Sequence, residues 1–198
     1  MDNRTIEKRY SNLELRSDDK KISGYAAVFY NGNPDTEYKL WQGCKERIGK
    51  DAFRNLIQSD DDVIVSFNHD MVTLLGRRSA GTCRISIDDI GLRFECDFDA
   101  ADPDHVRVSR KIQKKEVTGC SFAFTTNSDS WTEEGSEKVR TLNDVNVYEV
   151  GPVIFAAYSG TSVGIRSEGN DVEARSSFEN FETEKLLKQI QEIDSNIV

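Results

Sequence analysis

Three side chains in this 198-residue sequence have the types and placement for proton-transfer and nucleophilic chemistry. His69 is one of only two histidines. It follows the apolar run 62–67 (DVIVSF) directly, between Asn68 and Asp70, at a strand-to-loop junction. A neutral imidazole there is a general base suited to neutral pH, although a histidine can also simply end a strand. Ser121 lies inside the apolar stretch Val117–Thr125, between Cys120 and Phe122. Its hydroxyl becomes a nucleophile only with a base in hydrogen-bond reach and a third group to orient that base; otherwise it fills a small site and bonds to backbone. Glu149 stands in VNVYEVGPVIF, where strict alternation puts Val145, Val147 and Glu149 on one strand face. That parity predicts a buried carboxylate, which needs a partner: an imidazole, or an Arg or Lys. Two rivals exist for the third position. Asp144 is on the opposite face, near a turn, and His105 precedes Ser121 on a helix expected to be exposed.

Those residues need strands to hold them. Ile22–Tyr30 (ISGYAAVFY) is apolar, rich in β-branched and aromatic residues, and stopped by Asn31-Gly32-Asn33-Pro34-Asp35. The clearest hairpin spans Thr82–Asp99: Cys83, Ile85 and Ile87 alternate with polar residues, Asp88–Gly91 turns, and Leu92, Phe94, Cys96 and Phe98 alternate again. Asp102-Pro103 supplies an N-cap and a first-turn proline for a helix to about Lys115, whose basic C-terminal end complements the helix dipole. In Val117–Thr125, Ser121 and Ala123 share one face and Cys120, Phe122 and Phe124 the other. A polar excursion is expected over Asn127–Lys138, followed by strands at Val139–Val150 and Pro152–Tyr158. Residues 1–165 thus read as one domain. Residues 166–198 read as an acidic, serine-bearing linker (167–177) and a terminal helix with Phe178, Phe181, Leu186, Leu187, Ile190 and Ile193 on one stripe.

Composition narrows the function. The 26 Lys and Arg against 35 Asp and Glu leave a net charge of −9, unsuited to nucleic-acid backbones. No apolar run spans a membrane, and the charged start MDNRTIEKRY carries no secretory core. Cys44, Cys83, Cys96 and Cys120 form no CxxC, and the histidines are too few to complete a metal site, so neither metal nor cofactor is expected; Cys83, Cys96 and Cys120 read as small hydrophobes in strands.

The ordered series GYAAVF (24–29), KERIGKDAF (45–53), VIVSFNHD (63–70), LLGR (74–77), IDDIGLRFECDFD (87–99), SFAF (121–124) and YEVGPVIFAAY (148–158) resembles the HK97-type prohead maturation proteases of tailed phages. Gly151-Pro152 and Ala156-Ala157-Tyr158 depart from that family's pattern. The resemblance implies a herpesvirus-protease-like fold: α+β, a mainly antiparallel, partly closed β-barrel with flanking helices. It implies His69 as base, Ser121 as nucleophile and Glu149 as third member; backbone oxyanion donors are sought in the glycine-bearing stretch Tyr158–Gly164. It implies a serine endopeptidase in the immature capsid within the host cytoplasm, cutting scaffold or the scaffolding segment of the capsid protein, and itself, with a homo-oligomer as a further expectation. The alternative is a capsid-assembly factor that keeps the fold without activity. A serine esterase lacks its G-x-S-x-G elbow here.

Overall fold

The computed structural model describes residues 5–154 and 172–195. Eleven strands and three α-helices follow in the order β1 (Glu7–Ser11), β2 (Arg16–Ser17), β3 (Lys21–Val28), β4 (Tyr38–Trp41), β5 (Cys44–Ile48), α1 (Arg54–Gln58), β6 (Ile64–Phe67), β7 (Asp70–Arg77), β8 (Cys83–Ile87), β9 (Gly91–Asp97), α2 (Pro103–Gln113), β10 (Gly119–Glu134), β11 (Glu137–Val153) and α3 (Val172–Ser195). This is a mixed α+β protein, mostly strands. The strands form a seven-stranded sheet and a four-stranded sheet of order β2-β3-β9-β8. The expected barrel closure is not among these pairings: the described strands make two separate sheets.

The larger sheet is built around the β10–β11 hairpin. β1 adds antiparallel to β10, while β5 and β6 both run parallel to β11, β5 against Lys138–Leu142 and β6 against Glu149–Val150. The span expected to be a polar excursion is instead the distal half of this hairpin, paired from Ser128↔Asp144 to Glu134↔Glu137. Its polar residues face water, and Trp131 is the one buried side chain between Asn127 and Glu134 on that arm. Pairing of β5 against β11 gives the extended hairpin a neighbour that its own sequence does not announce.

The core lies between the sheets. Ile22, Ala26, Leu92, Phe94 and Cys96 from the small sheet meet Phe122, Phe124, Val145, Val147 and Val150 from the large one, with Val108 and Ile112 of α2 closing the side. Asp102 caps α2 by accepting from the Asp104 N–H at 2.8 Å, with Pro103 in the first turn. A second cluster seats α3: Ala174, Phe178 and Phe181 pack on Leu40, Trp41, Cys44 and Trp131. The helix takes in Val172–Ser177, which composition assigns to the linker; Ala174 is fully buried and Ser177 donates to Asp129 at 2.8 Å. Leu186, Leu187 and Ile190 of the same helix are exposed.

Sequence alternation gave no hint of a buried ion cluster that ties four strands together. Arg9 (β1) reaches Glu46 (β5) at 2.6 Å and Glu7 (β1) at 2.7 Å. Arg140 (β11) reaches Glu7 at 2.7 Å, Glu46 at 2.9 Å and Asp129 (β10) at 2.5 Å. Glu7, Glu46 and Arg140 have no exposed surface. Buried charges survive only when paired in this way.

Candidate active site

The β6–β7 hairpin turns in two residues. Phe67 pairs with Asp70, and Asn68 and His69 between them have φ of 59° and 60°. Positive φ at both central positions is the requirement of a type I′ turn, which matches strand twist but strains residues other than glycine or asparagine. Two ties hold the turn to β11. The Asn68 N–H donates to the Pro152 carbonyl at 2.9 Å, and Gly151 lies so close that a Cβ there would stand 2.0 Å from the Ser66 carbonyl oxygen. Gly151-Pro152, a departure from the resembled pattern, is therefore the contact surface for the strand that carries His69.

Opposite the turn, β10 presents Ser121. Its Oγ is 2.8 Å from His69 Nε2, and His69 Nδ1 is 3.1 Å from Glu149 Oε2. The Ser66 hydroxyl donates to the other carboxylate oxygen, Glu149 Oε1. Tyr10 sets its ring edge-on to the imidazole, with centroids 5.9 Å apart. All three sequence candidates thus meet in one serine–imidazole–carboxylate chain. Ser121 is fully buried, Glu149 nearly so, and the His69 side chain is 12% exposed. Burial alone would raise the Glu149 pKa, but the hydrogen bonds from His69 and Ser66 and the His69 charge hold it below the ordinary carboxylate value.

Glu149 arrives by a route that alternation does not predict. Phe124 pairs with Val147, yet its neighbour Ala123 pairs with Glu149, so the register slips by one at Tyr148. This bulge turns Glu149 away from the Val147 face, which looks into the core, and onto the face of Ala123 and Ser121. Without it, the carboxylate would point to the Phe122–Phe124 side. The rivals are engaged elsewhere. Asp144 accepts two bonds from Asn55, at 2.9 and 3.0 Å. His105 is buried rather than exposed, and its Nδ1 accepts the Asp99 N–H at 3.1 Å.

Ser66 and the Arg9 carbonyl were not singled out by sequence. Ser66 could have been found, since it is the one hydroxyl in a run of buried apolar residues two positions before the Asn-His turn. The Arg9 carbonyl carries no sequence signal. It lies 2.8 Å from Ser121 Oγ and competes with His69 for the single hydroxyl proton. Among the described residues, no cluster of three or more His, Cys, Asp or Glu side chains could hold a metal ion. The stretch Tyr158–Gly164, where oxyanion donors are expected, lies outside the described residues.

A family model for caudovirus prohead serine proteases matches residues 8–175. The chain belongs to that family. No curated protein and no solved structure matches it. Membership of the caudovirus prohead serine protease family implies a role in phage capsid maturation, with a capsid or scaffold protein as substrate and the immature capsid in the host cell as the place of action. No described helix of this family member is long and apolar enough to cross a membrane.

Proposed function

We propose that this prohead protease cleaves peptide bonds with Ser121 as nucleophile, His69 as general base and Glu149 as the carboxylate that orients the base. The observation that carries the reading is the unbroken chain from Ser121 Oγ through both imidazole nitrogens to Glu149, 2.8 Å and 3.1 Å long at its two links. With Glu149 ionised, Nδ1 keeps its proton and Nε2 offers its lone pair to the hydroxyl. As Oγ attacks the scissile carbonyl carbon, the proton passes to Nε2, and Glu149 stabilises the imidazolium. The same proton then goes to the leaving amine, and water repeats the cycle on the acyl-enzyme. Ser66 fixes the free oxygen of Glu149, so the carboxylate keeps one orientation while charge develops beside it.

The Arg9 carbonyl gives the hydroxyl a second resting place. When His69 carries protons on both nitrogens, Nε2–H donates to Oγ and the hydroxyl proton turns to Arg9. That state is unproductive, and deprotonation of the imidazole returns the hydroxyl to the base. Ser121 also has no exposed surface, so a substrate carbonyl reaches Oγ only after neighbouring atoms move aside. Such covering suits an enzyme that waits for assembly before it cuts scaffold segments, and then itself.

The test is co-expression with the adjacent capsid-protein gene. The wild-type chain is expected to shorten the capsid or scaffold protein. Ser121→Ala is expected to leave it full length at an unchanged melting temperature, because one hydroxyl is removed from a small site. Continued cleavage by the folded Ser121→Ala protein would overturn the assignment.

A further inference from the structure

The exposed face of α2 concentrates cations in a chain that is otherwise acidic. Arg107, Arg110, Lys111 and Lys114 line a shallow groove that they share with Val106 and the acidic Glu116. Arg107 is paired with Asp104 at 2.8 Å and Lys111 with Glu116 at 3.1 Å. Arg110 and Lys114 face solvent and make no ion pair among the described residues. One cation of the groove, Arg107, is linked to the hairpin that carries His69. The Arg107 guanidinium sits over the Phe67 ring at 5.7 Å and approaches Thr73 Oγ1 at 3.5 Å. Thr73 in turn donates to Asp70 at 3.0 Å, and Phe67 and Asp70 are the two residues that flank the Asn68-His69 turn.

We propose that this groove docks an acidic stretch of the polypeptide substrate, to one side of the bond presented to Ser121. The inference rests on the protease reading above and names its substrate class. Arg107 to Lys114 covers about 10 Å of helix, the length of three or so extended residues. A short run of Asp and Glu therefore matches it. A nucleic acid fits less well. Nucleic-acid affinity grows with the number of phosphates neutralised, whereas two of the four cations here already hold carboxylates and the net charge of −9 repels a long polyanion beyond the groove.

The experiment uses the full-length Ser121→Ala protein, which removes catalysis from the measurement. Fluorescence anisotropy compares a labelled peptide rich in Asp and Glu with its Asn and Gln counterpart, at low and at high salt. The acidic peptide is expected to bind about tenfold more tightly, with the advantage lost at high salt. The double reversal Arg110→Glu with Lys114→Glu is expected to erase the difference; if it fails to fold, Arg110→Gln with Lys114→Gln serves, with partial loss. Equal affinity for the two peptides, or an advantage left undiminished by either double variant, overturns the proposal. So does a single-stranded oligonucleotide that displaces the acidic peptide at matched charge. If the peptide binds as described but the wild-type chain cleaves nothing, the groove stands and the protease reading fails.

Discussion

At the scale of single residues, Glu149 and Ser66 separate positioning from chemistry. Glu149→Gln keeps the shape but removes the charge that fixes the imidazole tautomer in the proposed mechanism, and a loss of about 10³–10⁴-fold in kcat is expected, by analogy with an Asp-to-Asn change in a serine triad. Ser66→Ala leaves Glu149 ionised but frees one oxygen; about a tenfold loss in kcat with unchanged KM is expected. The two variants also differ in pH dependence. Glu149 is held below its ordinary pKa partly by the Ser66 hydrogen bond, so its charge persists well into acid and is lost only as pH falls through that lowered value. Removal of Ser66 raises the value, and the acid side of the kcat/KM profile should move to higher pH; an unmoved profile would deny Ser66 its positioning role. His69 and Ser121 stood out as candidates because histidine is scarce and each sits at the end or in the middle of an apolar run, but position alone left their structural readings open, and the family resemblance carried the assignment. Glu149 was legible by its type and its neighbours, but strict alternation places it on the wrong face. The bulge at Tyr148 corrects that, and a one-residue slip leaves no mark in a pattern of apolar residues.

At the scale of elements, the site depends on the closeness of β6 and β11. Gly151 permits that approach because it has no Cβ to meet the Ser66 carbonyl. Gly151→Ala should push β6 away, with a stability loss of about 1–3 kcal/mol. The larger effect should fall on kcat, since His69 sits at the end of the displaced strand. Urea unfolding beside a peptide-cleavage assay separates the two, and wild-type turnover in Gly151→Ala would refute the dependence. The β8–β9 hairpin and α2 were readable from period-two alternation and from Asp102-Pro103. The distal arm of β10 was not, because it is polar apart from Trp131, and β5, which flanks the hairpin on β11, is distant in sequence.

At the scale of the whole molecule, the ion cluster and α3 decide stability rather than chemistry. Burial pushes the Glu7 pKa up, but the Arg9 and Arg140 charges beside it prevail and hold it below the ordinary value. A carboxylate so depressed contributes stability that is complete above its unfolded pKa of about 4.3 and is lost as pH falls through the folded value. The melting temperature should therefore drop below about pH 4. Glu7→Gln should cost about 3 kcal/mol at neutral pH and flatten that acid limb; an unaltered limb would place the acid sensitivity elsewhere. The α3 seat at Trp131 is ten residues along β10 from Ser121, roughly 33 Å of strand. A chain ended after Arg166 should melt at lower temperature, since Leu40, Cys44 and Trp131 lose their cover, yet still cleave a supplied peptide while no longer entering proheads. A folded but inactive truncation would give α3 a part in the site. Sequence showed the apolar stripe of α3 but not its seat, because Trp41 and Trp131 come from separate strands. The cluster was hidden for the same reason: Glu46 and Arg140 hold inward positions on strands whose flanking residues read as ordinary alternation.

The central claim is that Ser121 is the nucleophile activated by His69. The most direct measurement is covalent capture. The full-length chain would be treated with a fluorophosphonate while it is processing capsid protein, and the adduct located by peptide mass mapping. Phosphonylation is expected on Ser121, absent from the His69→Ala protein and declining in step with cleavage in Glu149→Gln. Capsid-protein cleavage accompanied by an adduct on another residue, with Ser121 unmodified, would contradict it.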